Sequence, residues 1–456
     1  MTTRTLEDVI EALGRELDGR LILPADADYD TARTIVTNSA DKKPRTIVRA
    51  RTAADVQRAI DAARDHGIEL AVRSGGHSYA GHSASHGGIV LDLRDMNAVT
   101  VDAGSKTAWV ETGATSRQVT AATMPHGLVV GFGDTGSVGV GGITLGGGVG
   151  YLVRKLGLTI DSVLAAEVVT ADGLLLSADP ETNADLFWAI RGGGGNFGVV
   201  TRLQFKLHDL PAFTGGLMVV SATPDVLARF VAAAMAAPED LSTICNVMPA
   251  PPLPFLPADL HGKLVLFAML AFAGDGDVAE RAIAPFRALG PVVDMVKPGP
   301  YASMFPPDDP DLHPTAVMRT LFVNGVDGLA AKTIVDTVAN GSAPFRAVQL
   351  RVLGGAAAEV APDATAYAHR ASQIMVGVLA FYTPGDRPRQ QAWVEALAAA
   401  LRQDESGAYV NFLEDESAER VRAAYPGKTW DRLRAIKAKY DPGNLFRLNQ
   451  NIPPAE

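Results

Sequence analysis

His77 sits in a loop built almost entirely of small residues, RSGGHSYAGHSASHGG (73–88), at the carboxyl end of an apolar run. An imidazole there can tether a ligand, carry a proton or bind a metal; a lone histidine can equally be a surface or capping residue. A second stretch answers it. Residues 131–150, GFGDTGSVGVGGITLGGGVG, hold ten glycines in twenty positions. Glycine lets backbone N–H groups approach a ligand, because no Cβ intervenes and positive φ is open to it. Successive amides in tight turns form anion-binding concavities. Two such loops without a Walker lysine suit a pyrophosphate or a flat ring better than a phosphate in transfer. Taken alone, 131–150 reads equally as a turn of a β-solenoid. Beside RSGGHS, ligand binding is favoured.

Two other chemistries fit less well. His82 and His86 could join His77 in a metal cluster. No carboxylate sits beside them at helical spacing, and the loop is not a helix, so no metal site is expected. GFGDTG (131–136) formally matches G-x-G-x-x-G after an apolar LVV, the pattern of a nicotinamide-dinucleotide site. That fingerprint has to open a helix. The glycines of SVGVGGITLGGGVG are expected to prevent one, and Asp161 is the only downstream acid that could serve.

The elements that carry these loops can be taken in order. The chain opens on an amphipathic helix, MTTRTLEDVIEALGRELDG. TIVRA (46–50) is a strand, Thr52 caps a helix that Gly67 stops, and ELAVRS (69–74) is the next strand. This is a β-α-β unit with RSGGHS at the carboxyl end of its second strand, where ligands of α/β sheets usually sit. GIVLDL (88–93) is a buried strand, a hairpin turns about Ala103–Ser105, and a short helix ends at Gly127. Residues 158–178 read as strand, Asp-Gly turn, strand. NADLFWAI gives a short helix, followed by a second glycine cluster at 192–195 and a strand. From 208 to 405 strands alternate with alanine-rich helices, which indicates a largely antiparallel sheet covered by helices. The Pro-rich tracts at 250–257 and 305–314 read as long loops, and the last fifty residues as a return segment. The expected class is α+β, with parts at 1–207, 208–405 and 406–456.

Composition excludes several functions. With 456 residues the chain exceeds one ordinary core. A net charge of −10 leaves no basic stripe for nucleic acid. The one cysteine, Cys245, excludes an internal disulfide or a cysteine zinc site and reads as a small buried apolar group. No signal-peptide pattern and no apolar run of about eighteen residues is seen, so a cytoplasmic protein off the membrane is expected. The oligomeric state is not legible.

The ordered motifs RSGGHS, GGIVLDLRDMN, VGVGGITLGGGVGYLVRKLGLTID, DLFWAIRGGGGNFGVVT, YVNF and NLFRLNQNIPP resemble the berberine-bridge-enzyme-like group of FAD-linked oxidases. That group belongs to the vanillyl-alcohol oxidase/p-cresol methylhydroxylase flavoprotein superfamily. The resemblance covers about 40–207 and 406 to the end; the middle matches only in architecture and in spots such as LGGA (353–356) and AYAHR (366–370). It implies a two-part FAD-binding domain, made of the N-terminal part and the return segment, with the middle sheet roofing the flavin. It implies that His77 carries the flavin through an 8α-methyl–nitrogen bond. Arg73, Ser74, Gly75, Gly76 and Ser78 would wrap the pyrophosphate, with Gly81, His82, Thr135 and Gly136 also at the cofactor. Val138, Gly139, Gly141, Gly142, Gly146 and Gly150 would line flavin and adenosine, with Val200 near the adenine. Tyr409, Asn411 and Asn449 would approach from the return segment.

Two departures from the family pattern bear on mechanism. Relatives often carry a cysteine before VGxGG that makes a second flavin bond; here the region is Asp134-Thr135-Gly136-Ser137. Attachment through His77 alone is expected. Relatives also often read YxNY, whose second tyrosine is a common base; here it is Phe412. Tyr409 is then the catalytic candidate from this motif, with Tyr79, Tyr301, Tyr367 and Tyr382 as further phenols and Arg319, His313 or His369 as tuning groups. An alcohol needs a base for its O–H, whereas the lone pair of a neutral amine drives hydride loss directly. The resemblance implies hydride transfer from an alcohol or amine carbon of a small molecule, with O2 regenerating the flavin and yielding H2O2. The loop near Gly141–Ile143 is a candidate gate for oxygen. A dehydrogenase using another acceptor and a flavin-binding relative without activity are the alternatives.

Overall fold

The computed structural model describes residues 5–37, 41–309, 311–383, 385–403, 407–414 and 417–456. A four-stranded sheet carries the histidine loop, in the order Arg20–Ile22, Thr46–Arg49, Ile89–Asp92, Leu70–Arg73. The helix Ala53–Asp65 links two of these strands. Thr52 and Asp55 close its N-terminus by a reciprocal capping box, and Gly67, at φ +63°, ends it. The β-α-β unit forms with one difference from the linear reading. Both of its strands pair in parallel with Ile89–Asp92, which lies between them. That central place explains why all four of its residues are buried.

A five-stranded antiparallel sheet follows, in the order Val99–Asp102, Thr107–Glu111, Val199–Lys206, Val163–Val169, Leu175–Ala178. The glycine-rich stretch departs from expectation at one point, because Val140–Leu145 is helical. Glycine costs about 1 kcal/mol per helical residue against alanine. VGGITL overcomes this by burying Val140, Thr144 and Leu145, with Gly141 flush against Thr112. The GFGDTG segment itself stays outside that helix.

The middle of the chain forms an eight-stranded antiparallel sheet. Side-chain alternation splits its faces. Cys245, Val247, Val348, Leu350, Val376 and Val378 pack with helices Pro224–Ala236, Gly276–Arg287, Gly328–Asn340 and Arg387–Leu401. Cys245 is fully buried there, and burial pushes its thiol well above the ordinary range. Asn246, Gln349, Arg351 and Gly377 are on the opposite face, towards the first part of the chain.

Buried cations tie the parts together. Arg154 donates to Ala234 O (2.6 Å) and Ala237 O (2.9 Å), satisfying carbonyls at the end of Pro224–Ala236. Lys437, fully buried, donates to Asn196 O (2.7 Å), Phe446 O (3.0 Å) and Asp441 Oδ2 (2.6 Å). This holds the returning chain against the 192–195 glycine cluster. The expected junction at 405/406 lies outside the described residues. Among the described residues no helix is long and apolar enough to cross a membrane.

Candidate active site

The two glycine loops meet back to back. A Cβ on Gly75 would lie 2.2 Å from Gly139 N, and one on Gly139 would lie 2.1 Å from Gly75 N and Ser74 Oγ. Neither position tolerates a side chain, so two glycines at the crossing are what let the loops touch. Ser74 Oγ donates to Thr112 O (2.5 Å), and Gly141 N donates to the same carbonyl (3.1 Å). The joined loops form one wall of a cavity of about 400 Å³. Gly194–Asn196, Val199 and Val200 continue that wall, 409–413 and 446–450 close it from the return segment, and the eight-stranded sheet roofs it.

His77 lines this cavity. Burial lowers its pKa below the ordinary 6.5, against the raising pull of Asp308 and of the Ser137 backbone. His82 Nε2 instead faces Gln450 Oε1 (3.3 Å), and His86 Nδ1 accepts from Lys43 N (3.4 Å).

The roof contributes charge that sequence reading did not foresee. Arg351 is 3% exposed and donates to Asp134 Oδ2 (2.6 Å), Val149 O (3.0 Å) and Gln349 Oε1 (2.8 Å). Its guanidinium also lies 5.2 Å from the Phe412 ring centroid. Tyr79 and Tyr409 meet Phe412 edge-on, at 6.3 and 5.1 Å between centroids. The Tyr409 hydroxyl accepts from Gly148 N (2.9 Å) and Asn411 Nδ2 (3.0 Å). Burial nevertheless raises its pKa, against the lowering by those donors and by Arg351. Burial likewise raises Tyr79, with Asp134 adding to the rise and Arg351 opposing it.

Most of the sequence-chosen residues come together here. Ser74, Gly75, Gly76, His77, Ser78, His82, Thr135, Val138, Gly139, Gly141, Gly142, Val200, Tyr409, Asn411 and Asn449 line the cavity. Five do not, and each has a packing reason. Arg73 turns away beneath the loop, donating to Ser83 O (3.0 Å) and Arg33 O (3.1 Å), 3.7 Å from Asp92. Burial draws its pKa down to about 10, so it stays charged at neutral pH. The Gly81 carbonyl accepts from Lys42 Nζ (2.9 Å). Gly136 lies under the Arg117 guanidinium, Gly146 under the Asn411 amide, and Gly150 against Phe132 O. Of the other candidate groups, Arg319 pairs with Glu395 (2.9 Å), His313 bonds Ile35 O (2.9 Å) and His369 stacks on Phe322. Tyr301, Tyr367 and Tyr382 do not line the cavity.

Comparison with known proteins fits this geometry. The family model described as FAD binding domain matches residues 44–179, and the one described as berberine and berberine like matches residues 408–453. The uncharacterized FAD-linked oxidoreductase YgaK of Bacillus subtilis (strain 168) is 32% identical over 456 residues, covering 96% of this chain and 98% of the relative. The chain belongs to the berberine-bridge-enzyme-like group of FAD-linked oxidoreductases. The (R)-6-hydroxynicotine oxidase of Paenarthrobacter nicotinovorans is 30% identical over 460 residues, covering 96% of this chain and 97% of that one. A crystal structure of 6-hydroxy-D-nicotine oxidase from Arthrobacter nicotinovorans superposes with a TM-score of 0.84 at 27% identity, covering 96% and 99% of the two chains.

The cavity of this FAD-linked oxidoreductase fits its cofactor. Gly142 and Gly195 line it, and among the described residues a Cβ at either would meet nothing within 4 Å beyond the adjoining backbone. These are places where backbone alone faces an open groove. Asn449 donates through Nδ2 to Phe446 O (3.0 Å), while its buried Oδ1 meets no partner among the described residues. A buried acceptor left open is costly unless a ligand supplies the donor.

Proposed function

We propose that this protein is an oxidase that removes hydride from an alcohol or amine carbon of a small organic molecule. FAD is held covalently through His77 alone, and O2 is the final acceptor, giving H2O2. When bound, the flavin supplies the hydride acceptor. The chain's own residues bind, tether and orient. The lowered pKa of His77 keeps its imidazole neutral at pH 7, which a nitrogen lone pair needs in order to bond carbon. Gly75 and Gly139 bring both loops to its base. Cys245 is on the helix-covered face of the roof and does not line the cavity, which supports a single tether. The phenols facing the cavity, Tyr409 and Tyr79, keep their protons at neutral pH because burial raises both. Tyr409 then orients Asn411 and the Gly148 amide. This favours substrates whose own lone pair drives hydride loss over alcohols that need a strong base.

The observation that carries the reading is the Gly75–Gly139 contact, which sets His77 in the wall of a cavity roofed by a polar sheet face. A substrate panel of benzylic alcohols, cyclic amines, sugars and polyphenols, monitored for peroxide, tests it. Peroxide formed in step with substrate loss is expected. Turnover that consumes substrate only with an artificial acceptor in place of air would make the protein a dehydrogenase instead.

A further inference from the structure

The polar groups on the roof form a chain with one direction. Arg351 Nε can only donate, so the Gln349 atom 2.8 Å away is the carbonyl Oε1. Gln349 Nε2 therefore points the other way and donates to Asn246 Oδ1 (3.0 Å). That bond fixes Asn246 in turn, leaving its Nδ2 as the end of the chain, and among the described residues this NH2 meets no acceptor. Arg351 is itself locked by Asp134 and Val149 O, so the relay cannot reverse by flipping one amide.

Register explains why this donor faces open space. Asn246 pairs with Gln349, and Gln349 with Gly377, so all three lie in one row across the sheet. A Cβ on Gly377 would meet only Gln349 Cβ, at 3.9 Å. The glycine leaves a slot beside the two amides. Met318 and Leu379, opposite each other in register, supply an apolar side to it. The cavity carries two fixed charges among the described residues, Asp134 and Arg351, and they neutralise each other at 2.6 Å.

We propose that Asn246 is a specificity-determining residue that donates from Nδ2 to an oxygen acceptor on an uncharged, ring-bearing substrate seated in the slot over Gly377. This rests on the oxidase reading above and names the substrate class of that site. Among the described residues, a cation meets no unpaired carboxylate in the slot and an anion meets no free cation. A ring with a hydroxyl, ether or carbonyl oxygen satisfies both the donor and the apolar side.

The test uses the flavin-loaded protein, its absorbance near 450 nm (an approximate value from general flavin chemistry), and three probes: benzyl alcohol, toluene and benzylammonium. The wild-type protein is expected to bind benzyl alcohol more tightly than toluene by about fivefold, the usual worth of one neutral hydrogen bond, and benzylammonium most weakly. Asn246→Leu should erase the preference for the alcohol over toluene. Asn246→Asp keeps the bond from Gln349 but presents an anionic oxygen to the slot, and should reverse the order of alcohol and ammonium. Gly377→Val should weaken benzyl alcohol and toluene alike. Unchanged preference in Asn246→Leu and Asn246→Asp, or no binding of any probe by the yellow wild-type protein, overturns the assignment. Protein purified without flavin after reconstitution would defeat the oxidase reading itself, a distinct result.

Discussion

Replacing Gly139 by alanine puts the loop contact under direct test. The added Cβ would lie 2.1 Å from both Gly75 N and Ser74 Oγ, where ordinary contact is 3.4–4 Å. The atoms it meets include backbone on a loop already fixed by Ser74 and Thr112, so relief requires the loops to part by roughly an ångström. Overpacking of this kind costs about 1–3 kcal/mol. Gly139 is also the N-cap of Val140–Leu145, where alanine is worse than glycine by roughly 0.5–1 kcal/mol. The melting temperature should fall by roughly 1–4 °C, about 1 °C per kcal/mol for a chain of 456 residues, with flavin content falling alongside. Gly142→Ala is the paired control. Gly142 lies inside the same helix, is exposed to the cavity, and its Cβ would meet nothing within 4 Å. Alanine there should stabilise flavin-free protein by up to about 1 kcal/mol while lowering flavin occupancy or shifting the flavin spectrum. Differential scanning calorimetry with and without added FAD, and the ratio of flavin to protein absorbance, read both effects. A Gly139→Ala protein that melts and loads like wild type would refute the packing argument; a Gly142→Ala protein with unaltered flavin would show that this wall faces something else.

Three further outcomes follow from the same geometry. Arg351→Met leaves Asp134 in the cavity without its cation, which should destabilise the protein by about 3 kcal/mol. It also removes one of the groups that lower Tyr409 and the cation that lowers Tyr79, so an alkaline limb in the pH–rate profile should move to higher pH; a shift to lower pH contradicts the assigned sign. His77 has a folded-state pKa below 6.5, so flavin-free protein should lose stability as pH falls from 6.5 through that lowered value, because the unfolded chain binds the proton first. Chemical denaturation across pH 5–8 should show this slope in wild type and not in His77→Gln. Lys437→Met leaves Asp441 buried without its partner and frees the carbonyls of Asn196 and Phe446, costing about 3–5 kcal/mol; limited proteolysis should then cut first in the last fifty residues, and cleavage unchanged from wild type would contradict the latch.

Local signals carried much of this in the linear sequence. Thr52 with Asp55, Gly67 and the β-branched TIVR mark a helix and strand that form where their chemistry says. Intrinsic propensity argues against a helix in the glycine stretch, and tertiary burial, which propensity does not contain, is what rescues Val140–Leu145. The strand insertion between the halves of the β-α-β unit is non-local and leaves no trace in spacing. Arg351 and Gln349 were visible as polar residues two apart in the apolar strand RAVQLRV, the period that puts both on one face. What hid them was their partners: Asp134 lies 217 positions away and Asn246 lies 103. Arg73, Gly81, Gly136, Gly146 and Gly150 sit in the same loops but outside the cavity lining, held by neighbours that a local motif does not reveal.

Intact-mass analysis of acid-denatured protein, followed by mapping of the flavin-bearing peptide, tests the central claim most directly. The account predicts one FAD per chain, retained after denaturation and located on the peptide that contains His77, with none on the peptide that contains Cys245. Flavin that washes off with the acid, leaving the unmodified chain mass, would contradict it.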